Sequence, residues 1–193
     1  MASNISERHA LEIKLRELSD TDQLTGLFNR RKLEHDLALH HESYLRHSAP
    51  TSLLMFDLDN LTKFNDNKDL HAGDQALQTV ASICRAELRK TDCACCFGGD
   101  EFVVMLEELS PKPHELALHA RGVGEKILAM LAVPYALQGY QYRSTPSIGI
   151  APFTGEHTTV GELLKQADLA MYQAKTAGRN TLRFFDPDMQ AVV

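Results

Sequence analysis

The 193-residue chain has no tryptophan and only four cysteines, and its 20 Lys and Arg are outnumbered by 26 Asp and Glu, giving a formal net charge of −6. Each shortage excludes something. The deficit of positive charge argues against a duplex nucleic-acid binder held by counterion release, so any anionic ligand has to be met locally. Long apolar runs are missing too: Ser52-Leu53-Leu54-Met55-Phe56 and Ile127 to Val133 stop far short of the ~20 residues that span a bilayer. The opening, Met1-Ala2-Ser3-Asn4-Ile5-Ser6-Glu7-Arg8, has neither the basic cluster nor the apolar block of a secretory signal. The expectation is a cytoplasmic fragment that makes no membrane contact of its own, with membrane tethering of a longer parent left open. Of the cysteines, Cys93, Cys95 and Cys96 fall within four residues of one apparent strand, whose alternation sends Cys96 to the face opposite Cys93 and Cys95. With Cys84 far off and no His at ligand spacing, they read as reduced thiols packing as small apolar residues, not as a zinc site.

What remains is ordinary globular composition, 44% hydrophobic and 24% charged, and at ~150 residues per domain the length suits one compact domain with short extensions. Leu11, Leu15 and Leu18 recur at helical spacing among charges, which predicts an exposed amphipathic helix up to about Ser19. Ser19-Asp20-Thr21-Asp22 and Leu24-Thr25-Gly26-Leu27 then break the periodicity before a helix from about Asn29 to His47. Thr51 to Asp59 has strand length, and His71 to Arg89 repeats apolar residues at helical spacing. Cys93–Phe97 and Glu101–Leu106 flank Gly98-Gly99 as a hairpin. Residues 113–132 read as a helix, Tyr140 to Phe153 as a strand region, Val160 to Thr176 as a helix closed by Gly178, and Thr181 to Phe185 as a last strand. This order suits an α+β domain whose central, mainly antiparallel, five-stranded sheet is flanked by helices.

The chemistry concentrates at strand ends. Asp57-Leu58-Asp59 sets two carboxylates on one face where the chain leaves the sheet, and Asp100 and Glu101 follow the two glycines of the hairpin. If these strands are neighbours, Asp57 and Asp100 converge on one hard cation, and Mg²⁺ is its natural occupant because it takes oxygen ligands and bridges carboxylates to phosphates. For either acid site alone, a solvated turn is an equally good reading.

Gly98-Gly99-Asp100-Glu101-Phe102 resembles the signature of the GGDEF family of diguanylate cyclases. The resemblance runs from about Asp22 to Phe185. It takes in Leu24-Thr25-Gly26-Leu27, Asn29-Arg30-Arg31, Asp57-Leu58-Asp59, Asn65-Asp66, Gly73-Asp74, Ser147-Ile148-Gly149-Ile150-Ala151, Ala167-Asp168, Ala170-Met171-Tyr172, Ala174-Lys175 and Gly178-Arg179-Asn180. It implies a nucleotide-cyclase or palm-like fold and a transferase of bacterial second-messenger signalling. In that reaction two GTP molecules condense into cyclic di-GMP across an antiparallel homodimer, the 3′-hydroxyl of one attacking the α-phosphate of the other. Carried over by position, Asp57, the Leu58 carbonyl and Asp100 would hold Mg²⁺ (or Mn²⁺), and Asp100 or Glu101 would be the general base. Gly98 and Gly99 would admit phosphate close to the backbone, and Asn65 and Asp74 would select guanine. Lys175 and Arg179, read as i, i+4 at a helix end, would contact phosphate. Arg89 and Asp92, in Arg89-Lys90-Thr91-Asp92, match the position of the family's R-x-x-D site for inhibition by product.

The pattern also departs from the family. Where F-K and G-H are usual the chain has Leu61-Thr62 and Asp69-Leu70, with Lys63 and His71 each displaced by one position, and Cys96 stands where an arginine is common. These changes leave the metal site intact and weaken triphosphate binding. Residues 1–20 then read as a linker helix from an upstream sensor and 21–186 as the GGDEF domain. Residues 187–193 read as the start of a linker into a downstream EAL phosphodiesterase domain. Two functions follow: an active cyclase subject to product inhibition, or a weak or inactive domain that binds GTP or cyclic di-GMP and regulates its EAL neighbour.

Overall fold

The computed structural model describes residues 8, 11, 15, 19–47, 49–59, 61, 70–137, 139–153, 155 and 158–187. Four helices, α1 (Arg30–His47), α2 (Leu70–Glu87), α3 (Pro113–Leu131) and α4 (Val160–Thr176), enclose a sheet. Its strands are β1 (Phe28–Asn29), β2 (Thr51–Leu58), β3 (Cys93–Gly98), β4 (Glu101–Leu106), β7 (Pro146–Phe153) and β8 (Thr181–Phe184), in the order β1-β3-β4-β2-β7-β8. The three inner pairings are antiparallel and the two outer ones, β1 with β3 and β7 with β8, are parallel. The sheet therefore has six strands instead of the expected five, the extra one being the two-residue β1, too short to show a period. The expected strand region from Tyr140 also divides. Tyr140–Tyr142 (β6) pairs with Tyr135–Leu137 (β5) in a separate hairpin, and β7 starts at Pro146.

Alternation along β2 builds two cores. All eight of its residues are buried. Leu54, Phe56 and Leu58 face α2 and α3 through Val80, Cys84, Leu116 and Ile127, while Leu53 and Met55 face α1 and α4 through Leu33, Leu37, Leu163 and Met171. α4 lies unusually close to β7. A Cβ on Gly149 would sit 2.1 Å from the Ala167 carbonyl oxygen and 2.2 Å from the Met171 nitrogen, so only glycine permits this approach, which fixes the height of the α4 C-terminus above the sheet.

The entry to the domain is tied by side chains. Asp22 Oδ1 accepts from the Thr25 N–H (2.8 Å) and hydroxyl (2.7 Å), closing a turn in which Gly26 has φ +67°. Asn29 caps α1 by accepting from the Lys32 N–H at 3.0 Å, while its amide and the Arg31 guanidinium donate to the Ser19 carbonyl, each at 2.7 Å. Arg8, Leu11, Leu15, Ser19 and Asp20 are helical, with Leu11 and Leu15 exposed as expected, whereas Leu18 lies outside the described residues. No helix among the described residues is long and apolar enough to cross a membrane.

Candidate active site

The register of β2 assembles the acidic end. Asp57 lies opposite Glu101 on β4 and opposite Ser147 on β7. The Asp59 N–H donates to the Thr145 carbonyl at 2.8 Å, so the backbone groups of Asp57 and Asp59 point toward β7. By alternation those of Leu58 point the other way, toward the β3–β4 turn that carries Asp100. A bulge between Cys96 and Gly98 bends β3 just before that turn. Gly99 has φ +57°, a conformation that favours glycine, whereas Gly98 does not, and a Cβ on either would meet nothing within 4 Å. Only Gly99 is therefore demanded by the backbone.

Asp57 is buried, and its two oxygens differ. Oδ2 pairs with the Lys175 ammonium, while Oδ1 is buried with no hydrogen-bond partner among the described residues. Burial raises the pKa of this carboxyl, opposed by Lys175 and reinforced by Asp100 and Asp59. Glu101 is also raised, first by burial and then by Asp168 and Asp57. Asp168 carries no role in the sequence pattern; its signal there is a position two helical turns before Lys175, which sets both on one face of α4.

Asp59, two residues along, is satisfied throughout. Its carboxylate accepts from the Thr145 hydroxyl (2.7 Å), the Ser147 hydroxyl (2.7 Å) and the Asn180 N–H (3.1 Å). It thereby anchors a turn in which Arg179 and Asn180 adopt φ +63° and +45°. Arg179 consequently lies beyond the end of α4 in a left-handed conformation, not one turn after Lys175 on the same helix face. Gly178, at φ +112°, is what ends the helix.

The other expected residues are more scattered. Asp74 is exposed early in α2, and Asn65 lies outside the described residues, as do Thr62, Lys63 and Asp69. An open cleft of about 540 Å³ adjoins Glu101, lined also by Arg30, Glu34, Lys165 and Asp168, and Asp74 does not line it. The cysteines are free, with Cys93 and Cys95 buried and Cys96 half-buried, and burial pushes the Cys93 thiol up to about 12 and that of Cys96 to about 11. They stay neutral.

Arg89 and Asp92 form a second, self-contained corner. Asp92, its side chain 1% exposed, accepts from the Arg89 N–H (3.2 Å), Nε (3.1 Å) and Nη2 (2.9 Å) and from the Glu107 N–H (3.3 Å). Arg89 Nη2 also donates to the Glu107 carbonyl at 2.9 Å. A groove of about 320 Å³ runs beside this pair, lined by Gly26, Arg85, Arg89, Lys90 and Asp92 among others.

The family described as diguanylate cyclase, GGDEF domain, matches residues 19–181. The chain belongs to the GGDEF family. MucR of Pseudomonas aeruginosa, described as a bifunctional diguanylate cyclase/cyclic di-GMP phosphodiesterase, is 36% identical over 178 residues, 92% of this chain and 25% of MucR. NbdA of the same organism, described as a cyclic di-GMP phosphodiesterase, is 31% identical over 185 residues, 96% of this chain and 22% of NbdA. The chain thus spans about a quarter of the length of these curated relatives. The solved structure of the GGDEF domain of TpbB (YfiN), also from Pseudomonas aeruginosa, superposes with a TM-score of 0.82 at 32% identity, covering 89% of this chain and 98% of that one.

The residues fit a divalent ion. A buried carboxylate oxygen on Asp57, unpartnered among the described residues and beside Asp100 and Glu101, is what a hard cation would satisfy. Among the described residues no three His, Cys, Asp or Glu side chains form a ready metal cage, so two carboxylates and the Leu58 carbonyl would need water and phosphate oxygens to complete the shell.

Proposed function

We propose that this domain is a Mg²⁺- or Mn²⁺-dependent diguanylate cyclase that condenses two GTP into cyclic di-GMP as a homodimer. The observation that carries the reading is the unpartnered Asp57 Oδ1, buried at the end of a central strand whose neighbour in the sheet carries Glu101 directly opposite. Asp57, the Leu58 carbonyl and Asp100 would hold the divalent ion, which when bound neutralises triphosphate charge and polarises the α-phosphate. Glu101 is the better placed general base. Its raised proton affinity suits it to take the proton of a 3′-hydroxyl, leaving Asp100 as ligand. Gly99 lets the turn bring backbone N–H groups close to phosphate, and Gly98 keeps that approach open. Asp74, exposed on α2, and Asn65 would pair with the N–H donors and carbonyl of guanine. Arg179, held out by the turn anchored on Asp59, and Lys175 would meet the phosphates from the other side. Incubating the purified protein with GTP and Mg²⁺ and separating the products chromatographically tests this: cyclic di-GMP and pyrophosphate are expected, and their absence with Mn²⁺ as well would remove the cyclase reading.

A second reading is favoured by the substitutions around the phosphates, Thr62 and Asp69-Leu70 in place of the usual F-K and G-H and Cys96 in place of arginine, and by the similarity to NbdA. In it the domain turns over GTP feebly and acts by binding GTP or cyclic di-GMP to govern an EAL phosphodiesterase domain downstream of about residue 187, under an upstream sensor joined through residues 1–20. Both readings place product at the groove beside Arg89. Asp92 is buried and fully bonded, so its part there is to hold Arg89, which lines the groove together with Lys90.

A further inference from the structure

A salt bridge at the acidic strand end joins Lys175, in the last turn of α4, to Asp57. The lysine side chain is 31% exposed and that of Asp57 12%, so the ammonium reaches into the site from its solvent side. Among the described residues the charges that act on Asp57 and Glu101 are otherwise negative, namely Asp59, Asp100 and Asp168, and Lys175 is the cation that opposes them. It engages only Oδ2 of Asp57 and leaves Oδ1 unpartnered, a partial answer to a charge that a divalent ion would answer more fully. α4 packs directly on β7 at Gly149, and the four-carbon stem of the lysine lets its ammonium swing without the helix moving.

We propose that Lys175 is a placeholder for the divalent ion: its ammonium occupies Asp57 until an ion arrives, then is displaced and turns to the triphosphate that the ion accompanies. This rests on the reading of Asp57 as an ion ligand. Ion and ammonium compete for the charge of one carboxylate and repel each other across it, so the ion alone binds weakly. Ion and nucleotide bind cooperatively, because the triphosphate offers the displaced lysine a new anionic partner. The site thus stays shut to bare Mg²⁺ and opens to Mg²⁺ with nucleotide.

The test is Mn²⁺ titration of the nucleotide-free protein, followed by electron paramagnetic resonance and repeated with saturating 3′-deoxy-GTP, which lacks the attacking hydroxyl. Lys175→Met is expected to bind Mn²⁺ alone about tenfold more tightly than wild type, equivalent to ~1.4 kcal/mol of lost competition, and to lose most of the enhancement by nucleotide. Lys175→Arg, which keeps the charge, should stay near wild type. As a check independent of substitution, acylation of Lys175 in the wild-type protein, read by mass spectrometry, should quicken when saturating Mn²⁺ alone is added and slow again when nucleotide follows and takes up the freed ammonium. Equal Mn²⁺ affinity in wild type and Lys175→Met, or unchanged acylation, would overturn the placeholder while loss of Mn²⁺ in Asp57→Asn still upheld the ion site. Unaltered Mn²⁺ binding in Asp57→Asn would instead remove the ion site, and the placeholder with it.

Discussion

Asp57 and Asp59 leave the same strand two residues apart, both buried, and they end in opposite conditions. Asp59 spends both oxygens on the Thr145 and Ser147 hydroxyls and the Asn180 N–H, whereas Asp57 keeps one oxygen with no partner and shares the other with a lysine. The first carboxylate is consumed in joining the ends of β2 and β7 to the turn after α4. The second is kept at a cost the fold alone does not repay, since burial without full pairing raises its pKa. The Arg89–Asp92 corner falls on the satisfied side of this division. In this domain the acid saturated by protein donors serves the fold, and the acid left wanting is the one proposed to take the ion.

The largest effect expected from that division is at Asp59. Asp59→Ala strands two hydroxyls and an N–H in a buried place, at a cost of about 3 kcal/mol or more, and a melting temperature lower by about 6–12 °C is expected by calorimetry. Asp57→Ala should cost little or nothing in the absence of ion. A similar loss in both variants would erase the distinction. Next comes Arg89→Ala, which leaves the buried Asp92 without its ion partner and should cost about 1–3 kcal/mol. The same change should weaken cyclic di-GMP about 10- to 150-fold while sparing GTP, measured by titration calorimetry.

Smaller effects sharpen the comparison through pH. Glu101 has a folded-state pKa raised above its ordinary 4.5, so the stability it contributes is present below that value and lost as pH rises through the raised one. Glu101→Gln should therefore raise the melting temperature at pH 7 by about 1–3 °C, allowing for its partial exposure, and the gain should vanish below about pH 4. Smallest is the half-buried pair His40–Glu107, 3.0 Å apart, in which the hydrogen bond to Glu107 raises the histidine above 6.5. Its stabilisation is present below pH 6.5 and fades as pH rises through the raised value, so Glu107→Gln should cost about 0.3–1 kcal/mol at pH 6 and less at pH 9, by urea unfolding.

Much of this could be read along the chain, for reasons that also mark where reading stops. Helix periodicity gave α1, α3 and α4 nearly to their ends, and the paired glycines gave the hairpin that lifts Asp100 and Glu101, because these signals are local. β1 escaped because two residues have no period, and the β5–β6 hairpin merged with β7 because Tyr140 to Phe153 reads as one β-rich stretch. Arg179 reads as one helical turn after Lys175 by spacing alone, yet the positive φ of Gly178 ends the helix before it. The split between Asp57 and Asp59 was not legible at all. Their deciding partners, Lys175 and Asn180, lie more than a hundred residues downstream, and only the folded sheet brings them near.

The central claim is that the unsatisfied end of β2 is an ion-dependent nucleotide site, and titration calorimetry of GTP into wild type and Asp57→Asn, each with and without Mg²⁺, tests it most directly. Wild type should bind GTP far more tightly with Mg²⁺ than without, and Asp57→Asn should show the same weak affinity in both conditions while remaining folded. A variant whose GTP affinity still rose with Mg²⁺ as in wild type would contradict the account.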